Sequence, residues 1–194
     1  MTKEEKLKII AQKINSCRRC LLYKTAKKAV PGKGNSLSKI VLIGEAPGYW
    51  EDQKGEPFVG KAGKFLDELL SSIKVKREDV FITNIIKHRP PANRDPLPEE
   101  IKACELFLDE QLKIIDPKII ITLGRFSLNK FLPGRLISQI HGQFKVIFWE
   151  NKKRILVPFY HPAAGLRNGK IKEDLKKDFL KLGVFLNKQF SLIN

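Results

Sequence analysis

Three short, almost continuously apolar segments alternate along the chain with longer segments in which apolar residues recur every three or four positions. The apolar segments are KIVLIG at 39–44, DVFITNII at 79–86 and PKIIITLG at 117–124, and RILVPFYH at 154–161 is a fourth. A strand that is apolar on both faces is typical of a parallel sheet covered by helices on both sides. The alternation therefore predicts an α/β fold, a three-layer α/β/α sandwich around a central four-stranded, mainly parallel sheet.

The helices predicted between these strands fill most of the remaining chain. They cover residues 3–15, 59–73, 96–115, 125–132 and 172–190, and FKVIFW at 144–149 is expected to form a hairpin with the fourth strand. We find no internal repeat, low-complexity tract or long linker. Residues 1–194 are therefore predicted to form a single domain.

The charge of the chain is strongly positive. Lys and Arg total 37 against 21 Asp and Glu, which gives a formal net charge of +16. A field of this size favours a polyanionic partner such as nucleic acid over a merely solubilising role. No apolar run approaches the roughly 20 residues needed to span a bilayer, and the N-terminus does not resemble a signal peptide. We therefore expect a cytoplasmic protein without a membrane partner.

Polar residues collect where the predicted strands end. Glu45 follows the first strand, Asn84 and His88 follow the second, Arg125 follows the third and His161 follows the fourth. Ligands of parallel α/β sheets bind at the carboxyl ends of the strands. The glycine-rich loop 44–63 allows close approach to the backbone and leads into a helix whose free N–H groups favour an anion. A ligand site is therefore predicted at this edge of the sheet.

Four segments occur together in a specific order: GEAPG, PFVGKAG, NIIKHRPPANRDP and HPAAGLR. Together they resemble the iron–sulfur family 4 uracil-DNA glycosylases, over nearly the whole chain. The resemblance implies the uracil-DNA glycosylase fold and a monofunctional DNA N-glycosylase, a hydrolase that starts base excision repair and needs no nucleotide cofactor. One alternative is a protein of the same fold that binds or traps uracil-DNA without turnover. A nucleotide-binding α/β protein with a zinc site is more distant, because it does not explain HPAAGLR.

The resemblance implies roles for residues that would contact a flipped uracil. Phe58 would stack on the base, Asn84 would read its N3–H and O4 edge, and His161 would donate to O2 as charge develops there. Ala46 occupies the position where the better-known family 1 enzymes carry a catalytic Asp, so the acid must be another residue. Glu45 is the first candidate and Glu51 the second.

Further positions concern specificity and the DNA backbone. Gly48 matches the position where family 1 has an aromatic residue that blocks the methyl group of thymine, so Glu51 or Tyr49 would have to exclude thymine here. Leu166 is the expected wedge that fills the stack after base flipping, with Arg167 gripping phosphate or the orphaned base. Lys61 and Arg94 are expected to hold phosphates.

The cysteines indicate a metal site. Cys17 and Cys20 have the spacing of a metal-binding pair, and an odd total of three cysteines argues against a disulfide framework. The resemblance implies a [4Fe–4S] cluster on four cysteines: Cys17 and Cys20 match the first two and Cys104 the last, and His88 stands where the family has its third cysteine. Imidazole can ligate cluster iron. A Cys3His zinc site and a three-cysteine cluster with an open iron and His88 turned towards DNA remain alternatives.

The C-terminal tail NKQFSLIN faintly resembles a sliding-clamp peptide through Gln189 and Leu192, although it lacks the terminal aromatic pair. Uracil-containing DNA is thus the main expected partner, with the sliding clamp as a second. The protein is expected to be a monomer that associates with the nucleoid.

Overall fold

The computed structural model describes residues 1–190, and the side chains of residues 1–188. Leu192 of the proposed clamp peptide lies outside this described part, and so does the side chain of Gln189. None of the helices formed by residues 1–190 is long and apolar enough to cross a membrane.

At the centre of the molecule, residues 1–190 form one mixed sheet of six strands in the order β1-β3-β2-β4-β6-β5. The inner strands β3, β2, β4 and β6 are parallel, whereas β1 and β5 pair antiparallel at the two edges. The predicted four parallel strands are therefore confirmed, and the sheet has two edge strands in addition. The strands are β1 (Lys33–Gly34), β2 (Ile40–Gly44), β3 (Phe81–Asn84), β4 (Ile119–Leu123), β5 (Lys145–Trp149) and β6 (Lys152–Phe159).

Of the two edge strands, β5 is the predicted hairpin partner of β6, and only β1 lacked a sequence prediction. β1 is two residues long and exposed, so it carries no apolar pattern that could reveal it. The count of four in the predicted sheet was thus too low, while the fold class is confirmed.

Within residues 1–190, the five predicted helices are present together with three short α-helices. The helices are α1 (Lys3–Asn15), α2 (Tyr49–Lys54), α3 (Lys61–Ser72), α4 (Pro98–Ile115), α5 (Arg125–Phe131), α6 (Ile137–Ile140), α7 (Pro162–Arg167) and α8 (Gly169–Phe190). The unpredicted α2, α6 and α7 have six residues or fewer. Such helices are too short to show an amphipathic period.

The inner strands β2, β3 and β4 are buried on both faces because helices cover each side of the sheet. Leu42 of β2 faces a core formed with α3 and α8, whereas its neighbours Val41 and Ile43 face a second core formed with α1 and α4. Successive side chains of a strand point to opposite faces, so an unbroken apolar run supplies both cores. The result is the predicted three-layer sandwich.

The register of the parallel strands fixes where the strand ends lie. Gly44 is level with Asn84, and Leu123 is level with Phe159. The loops that follow β2, β3, β4 and β6 therefore start from one edge of the sheet. This edge forms the candidate site.

Candidate active site and metal centre

A pocket of about 490 Å³ opens at the carboxyl edge of the sheet. Residues at or just after the end of each of the four parallel strands line it, including Glu45, Asn84, Gly124 and His161, and Phe58 lines it from the loop before α3. The expected clustering of strand-end residues is thus present. His88 is the exception, because it lines a different cavity.

Asn84, the last residue of β3, places an amide on the pocket wall. Its side chain is buried, and among the described residues its Oδ1 has no hydrogen-bond partner. Gly44 faces this oxygen from β2, and a Cβ on residue 44 would lie only 2.4 Å from Oδ1. Buried polar atoms are normally satisfied, so an unpaired amide oxygen in a pocket wall is a ready acceptor for a ligand N–H group.

A fully buried lysine supports Asn84 from behind. The Nζ of Lys87 donates to the Asn84 carbonyl oxygen at 2.8 Å, to Thr83 Oγ1 at 2.7 Å and to Gln111 Oε1 at 2.8 Å. Burial lowers the pKa of Lys87 to about 7. Three acceptors match the three donors of an ammonium group, so the end of β3 is held by a saturated set of hydrogen bonds.

His161 caps the N-terminus of α7 with its ring. Its Nδ1 accepts the backbone N–H of Ala163 at 3.1 Å, which leaves the proton of the neutral imidazole on Nε2. Burial lowers the pKa of His161 to about 4, against an opposing effect of the nearby Glu51 carboxylate. His161 is therefore a neutral donor through Nε2–H at ordinary pH.

Phe58 forms an aromatic wall of the pocket. Its ring stacks on His161 with 5.5 Å between centroids and 26° between planes. The backbone of Phe58 has a positive φ of 51°, unusual for a bulky residue. A Cβ on Gly63 would lie 1.8 Å from the Phe58 carbonyl oxygen, so only glycine at 63 allows this turn of the chain.

The two candidate acids occupy different environments on the pocket wall. Glu51 Oε1 accepts the backbone N–H groups of Val59 at 2.8 Å and Gly60 at 2.9 Å. Within residues 1–190, no donor is seen for the Glu45 carboxylate, and burial, reinforced by Asp95, raises the pKa of Glu45. Glu51 is thus a fixed carboxylate, whereas Glu45 is the less constrained of the two.

Comparison with known proteins identifies the family to which the chain belongs. The family model of the uracil DNA glycosylase superfamily matches residues 31–182. A type-4 uracil-DNA glycosylase of Archaeoglobus fulgidus is 47% identical over 95% of this chain and 96% of its own length. Those of Saccharolobus solfataricus (46%; 92% and 85% covered) and Thermotoga maritima (39%; 97% and 98% covered) are similar along most of both chains. The chain belongs to the type-4 uracil-DNA glycosylase family.

In this member of the family, the GEAPG loop contributes Ala46 and Gly48 to the pocket wall, as expected. Glu51 Oε2 would lie 2.8 Å from a Cβ on Gly48, so the carboxylate occupies the space beside that glycine. Tyr49 does not line the pocket, and half of its side chain is exposed. Of the two residues considered for excluding thymine, only Glu51 is positioned to do so.

Two of the four predicted DNA-binding residues, Arg94 and Arg167, line the pocket. Arg167 lines the pocket, and Leu166 beside it on α7 is 46% exposed, as a wedge must be. Arg94 also lines the pocket but forms a bidentate ion pair with Glu100, at 2.7 and 2.9 Å. Lys61 is exposed at the start of α3, outside the pocket lining. The DNA contacts of all four stay predictions.

Sequence reasoning assigned no role to several residues that line the pocket. Arg125 forms an ion pair with Asp95, and both line the pocket with Asn93 and Tyr160. The position of Arg125 after the third strand was a usable signal, because the carboxyl ends of the four parallel strands meet at this edge. Asp95 and Asn93 carried no such signal.

His141 lies outside the pocket lining and hydrogen bonds Asp178 at 2.6 Å.

The three cysteines approach one another on the side of the sheet covered by α1 and α4. Cys104 of α4 is buried, and Cys17 and Cys20 pack against the same apolar cluster. Burial raises the pKa of Cys104 to about 11, and the thiols of Cys20 and Cys17 add to the rise, while the Lys87 backbone N–H, 3.3 Å from Cys104 Sγ, opposes it. A bound metal ion would instead lower the pKa of Cys104, since metal ligation deprotonates thiols.

His88, the fourth expected ligand, lies in a separate cavity beside the cysteines. It is buried and shares a cavity of about 500 Å³ with Cys17, and burial lowers its pKa, with Asp52 opposing. Within the described part of the chain, no three His, Cys, Asp or Glu side chains form a ready group for a metal ion. Three thiols and an imidazole suit iron or zinc by their donor chemistry. The ligand set therefore stays a prediction.

Proposed function

We propose that this protein is a monofunctional uracil-DNA glycosylase. The uracil nucleotide leaves the DNA stack and enters the pocket at the carboxyl edge of the sheet. The bond between C1′ and N1 breaks, and its electron pair stays on uracil. Water adds to C1′ and loses a proton, and one proton neutralises the uracil anion, which leaves free uracil and an abasic deoxyribose. The names of the type-4 relatives, similar over most of the chain, support this proposal.

The observation that carries the proposal is the unpaired, buried Oδ1 of Asn84. Uracil presents N3–H as a donor and O4 as an acceptor, and one amide can pair with both through Oδ1 and Nδ2. Cytosine presents the reverse pattern and would leave both amide groups unpaired. Because buried unpaired polar groups cost roughly 1–3 kcal/mol each, the amide discriminates between the two bases.

His161 is suited to stabilise the leaving uracil. Negative charge develops on O2 as the bond to the sugar breaks, and a preorganised donor there lowers the barrier. The Nδ1 contact with Ala163 N–H keeps the proton of the neutral ring on Nε2, so this donor is in place before the reaction starts.

A carboxylate is needed beside the cationic sugar, either to stabilise it or to orient water. We assign this role first to Glu45, because its carboxylate has no donor among residues 1–190 and burial raises its pKa. Glu51 is the second candidate. Its fixed position beside Gly48 also suits it to exclude the methyl group of thymine.

The test is cleavage of a labelled single-uracil oligonucleotide after alkali treatment. Multiple turnovers support the enzyme, a single stoichiometric adduct would instead indicate a trapping protein, and an intact strand would overturn both. Asn84→Ala is expected to lower kcat/KM at least about 100-fold. His161→Ala is expected to lower kcat about 100- to 1,000-fold, and a near-normal rate would refute its role at O2.

We also propose a [4Fe–4S] cluster held by Cys17, Cys20, Cys104 and His88. The cluster would join the segment after α1 to α4 and to the loop after β3. Its role would be to cross-link these segments rather than to take part in the reaction. The proximity of the three thiols and the cavity shared by Cys17 and His88 support this proposal. Iron and sulfide analysis with visible absorption is the test, and zinc without sulfide would overturn it.

We expect the protein to act as a cytoplasmic, nucleoid-associated monomer that binds DNA through charge. A formal net charge of +16 predicts a steep loss of affinity with salt. Gel filtration and a salt titration of oligonucleotide binding test these two expectations.

A further inference from the structure

Two aromatic side chains are exposed beside the pocket, and the proposed chemistry does not use them. Tyr49 is 50% exposed and Trp50 is 55% exposed, although large aromatic residues normally bury most of their surface. They are the first two residues of α2, between Gly48 and Glu51, which both line the pocket. The aromatic surface therefore continues directly from the pocket wall.

The two rings are held in a defined arrangement. They form an edge-to-face pair with 5.1 Å between centroids and 82° between planes. The edge of Trp50 rests against Gly60, where a Cβ would lie 3.3 Å from Trp50 Cδ1. Contacts of this kind orient the rings while leaving about half of each exposed, so a flat ligand group can stack on them without reorganisation.

A cation completes this surface. The guanidinium of Arg89 lies over the Tyr49 ring, 5.3 Å from its centroid, and its Nε donates to Asn93 Oδ1 at 2.7 Å. Asn93 lines the pocket, so Arg89 connects the exposed ring to the pocket rim. Aromatic faces interleaved with a cation are the combination that binds unpaired nucleobases and the phosphates between them.

We propose that Tyr49, Trp50 and Arg89 form a stacking surface for the nucleotides that flank the uracil in single-stranded DNA. The occupant is an unpaired base rather than an apolar protein segment, because the surface is continuous with the pocket and the protein carries a net charge of +16. In duplex DNA the flanking bases are already stacked on each other, so the surface favours single strands. This inference rests on the proposed function.

The kinetic test compares wild type, Tyr49→Ala and Trp50→Ala on the same uracil sequence as a single strand and as a duplex. Each variant is expected to raise KM for the single strand about 5- to 100-fold, with kcat and the duplex KM nearly unchanged. Tyr49→Phe keeps the ring and should behave as wild type. Phe148→Ala removes an exposed ring on β5 and serves as the matched control.

A binding test reports the stacking itself. A single strand carries 2-aminopurine next to a tetrahydrofuran abasic analogue, and stacking on the protein quenches its fluorescence. Quenching that is lost in Trp50→Ala and kept in Phe148→Ala supports the proposal. Unchanged KM values in both alanine variants, or equal increases on single strand and duplex, would overturn it. If neither the wild type nor any variant releases uracil, the proposed function fails. The quenching result then still tells whether the stacking surface binds an unpaired base.

Discussion

The ammonium group of Lys87 donates a hydrogen bond to the carbonyl oxygen of Asn84, 2.8 Å away, and so holds the end of β3 against the pocket. The backbone N–H of the same lysine points to Cys104 Sγ at 3.3 Å. One residue therefore links the wall that is proposed to read the base to the helix that carries a predicted metal ligand. The stability of the two sites should be coupled through it.

Replacing Lys87 by Met should lower the free energy of unfolding by about 2–4 kcal/mol. Methionine fits the volume but removes the Lys87 donor from the oxygens of Thr83, Asn84 and Gln111, although Gln111 Oε1 still accepts from the Thr83 hydroxyl at 3.1 Å. Urea unfolding measures the change. Lys64→Met, at an exposed position of α3, is the control and should shift stability by less than about 0.5 kcal/mol. An equally stable Lys87→Met protein would show that the three oxygens find other donors.

The sequence was sufficient to predict the parallel strands of the sheet and the position of the pocket, because both follow from local patterns. Apolar runs that supply two cores at once, as Val41 and Leu42 do, indicated a covered parallel sheet. The rule that strand ends share an edge then brought Glu45, Asn84 and His161 together. The same rule failed for His88, since it follows β3 by four residues and the chain turns away before it.

Other features depend on contacts between distant residues, which no local pattern encodes. The donors to Glu51 come from the backbone of Val59 and Gly60, and this fixes its orientation. The pairing of Arg94 with Glu100 likewise depends on where the loop after β3 meets α4. A basic residue near a DNA-binding pocket looks free in the sequence, although here a carboxylate engages it.

The stability of the protein should depend on His161 under acid conditions. Its pKa is about 4 in the folded state and 6.5 without burial, so between these values the unfolded chain binds more protons. The contribution of the neutral, buried His161 to the free energy of unfolding is complete above pH 6.5 and is lost as the pH falls through 4. His161→Gln should therefore lose less unfolding free energy than wild type between pH 6.5 and 4, measured by urea unfolding at each pH. Parallel curves would contradict the buried, neutral state.

Gly63→Ala should lower the free energy of unfolding by about 1–3 kcal/mol. The new Cβ would lie 1.8 Å from the carbonyl oxygen of Phe58, so the turn that places Phe58 against His161 must shift. KM for uracil-DNA should rise as well, because the aromatic wall moves. Gly169→Ala is the matched control, since nothing lies within 4 Å of its Cβ and α8 begins there. A stable Gly63→Ala protein with normal KM would show that the turn can relax without moving Phe58.

His88→Cys would restore the thiolate that the resemblance expects at this position and tests whether His88 is a ligand. Imidazole generally raises the potential of an iron–sulfur cluster relative to thiolate. The variant should therefore keep the iron and sulfide content of the wild type while its midpoint potential, measured by potentiometric titration with visible absorption, becomes more negative. Cys104→Ala, which removes a ligand expected in every arrangement, should lose iron under the same purification. An unchanged potential in His88→Cys would show that the histidine does not ligate iron and that the cluster has only three protein ligands.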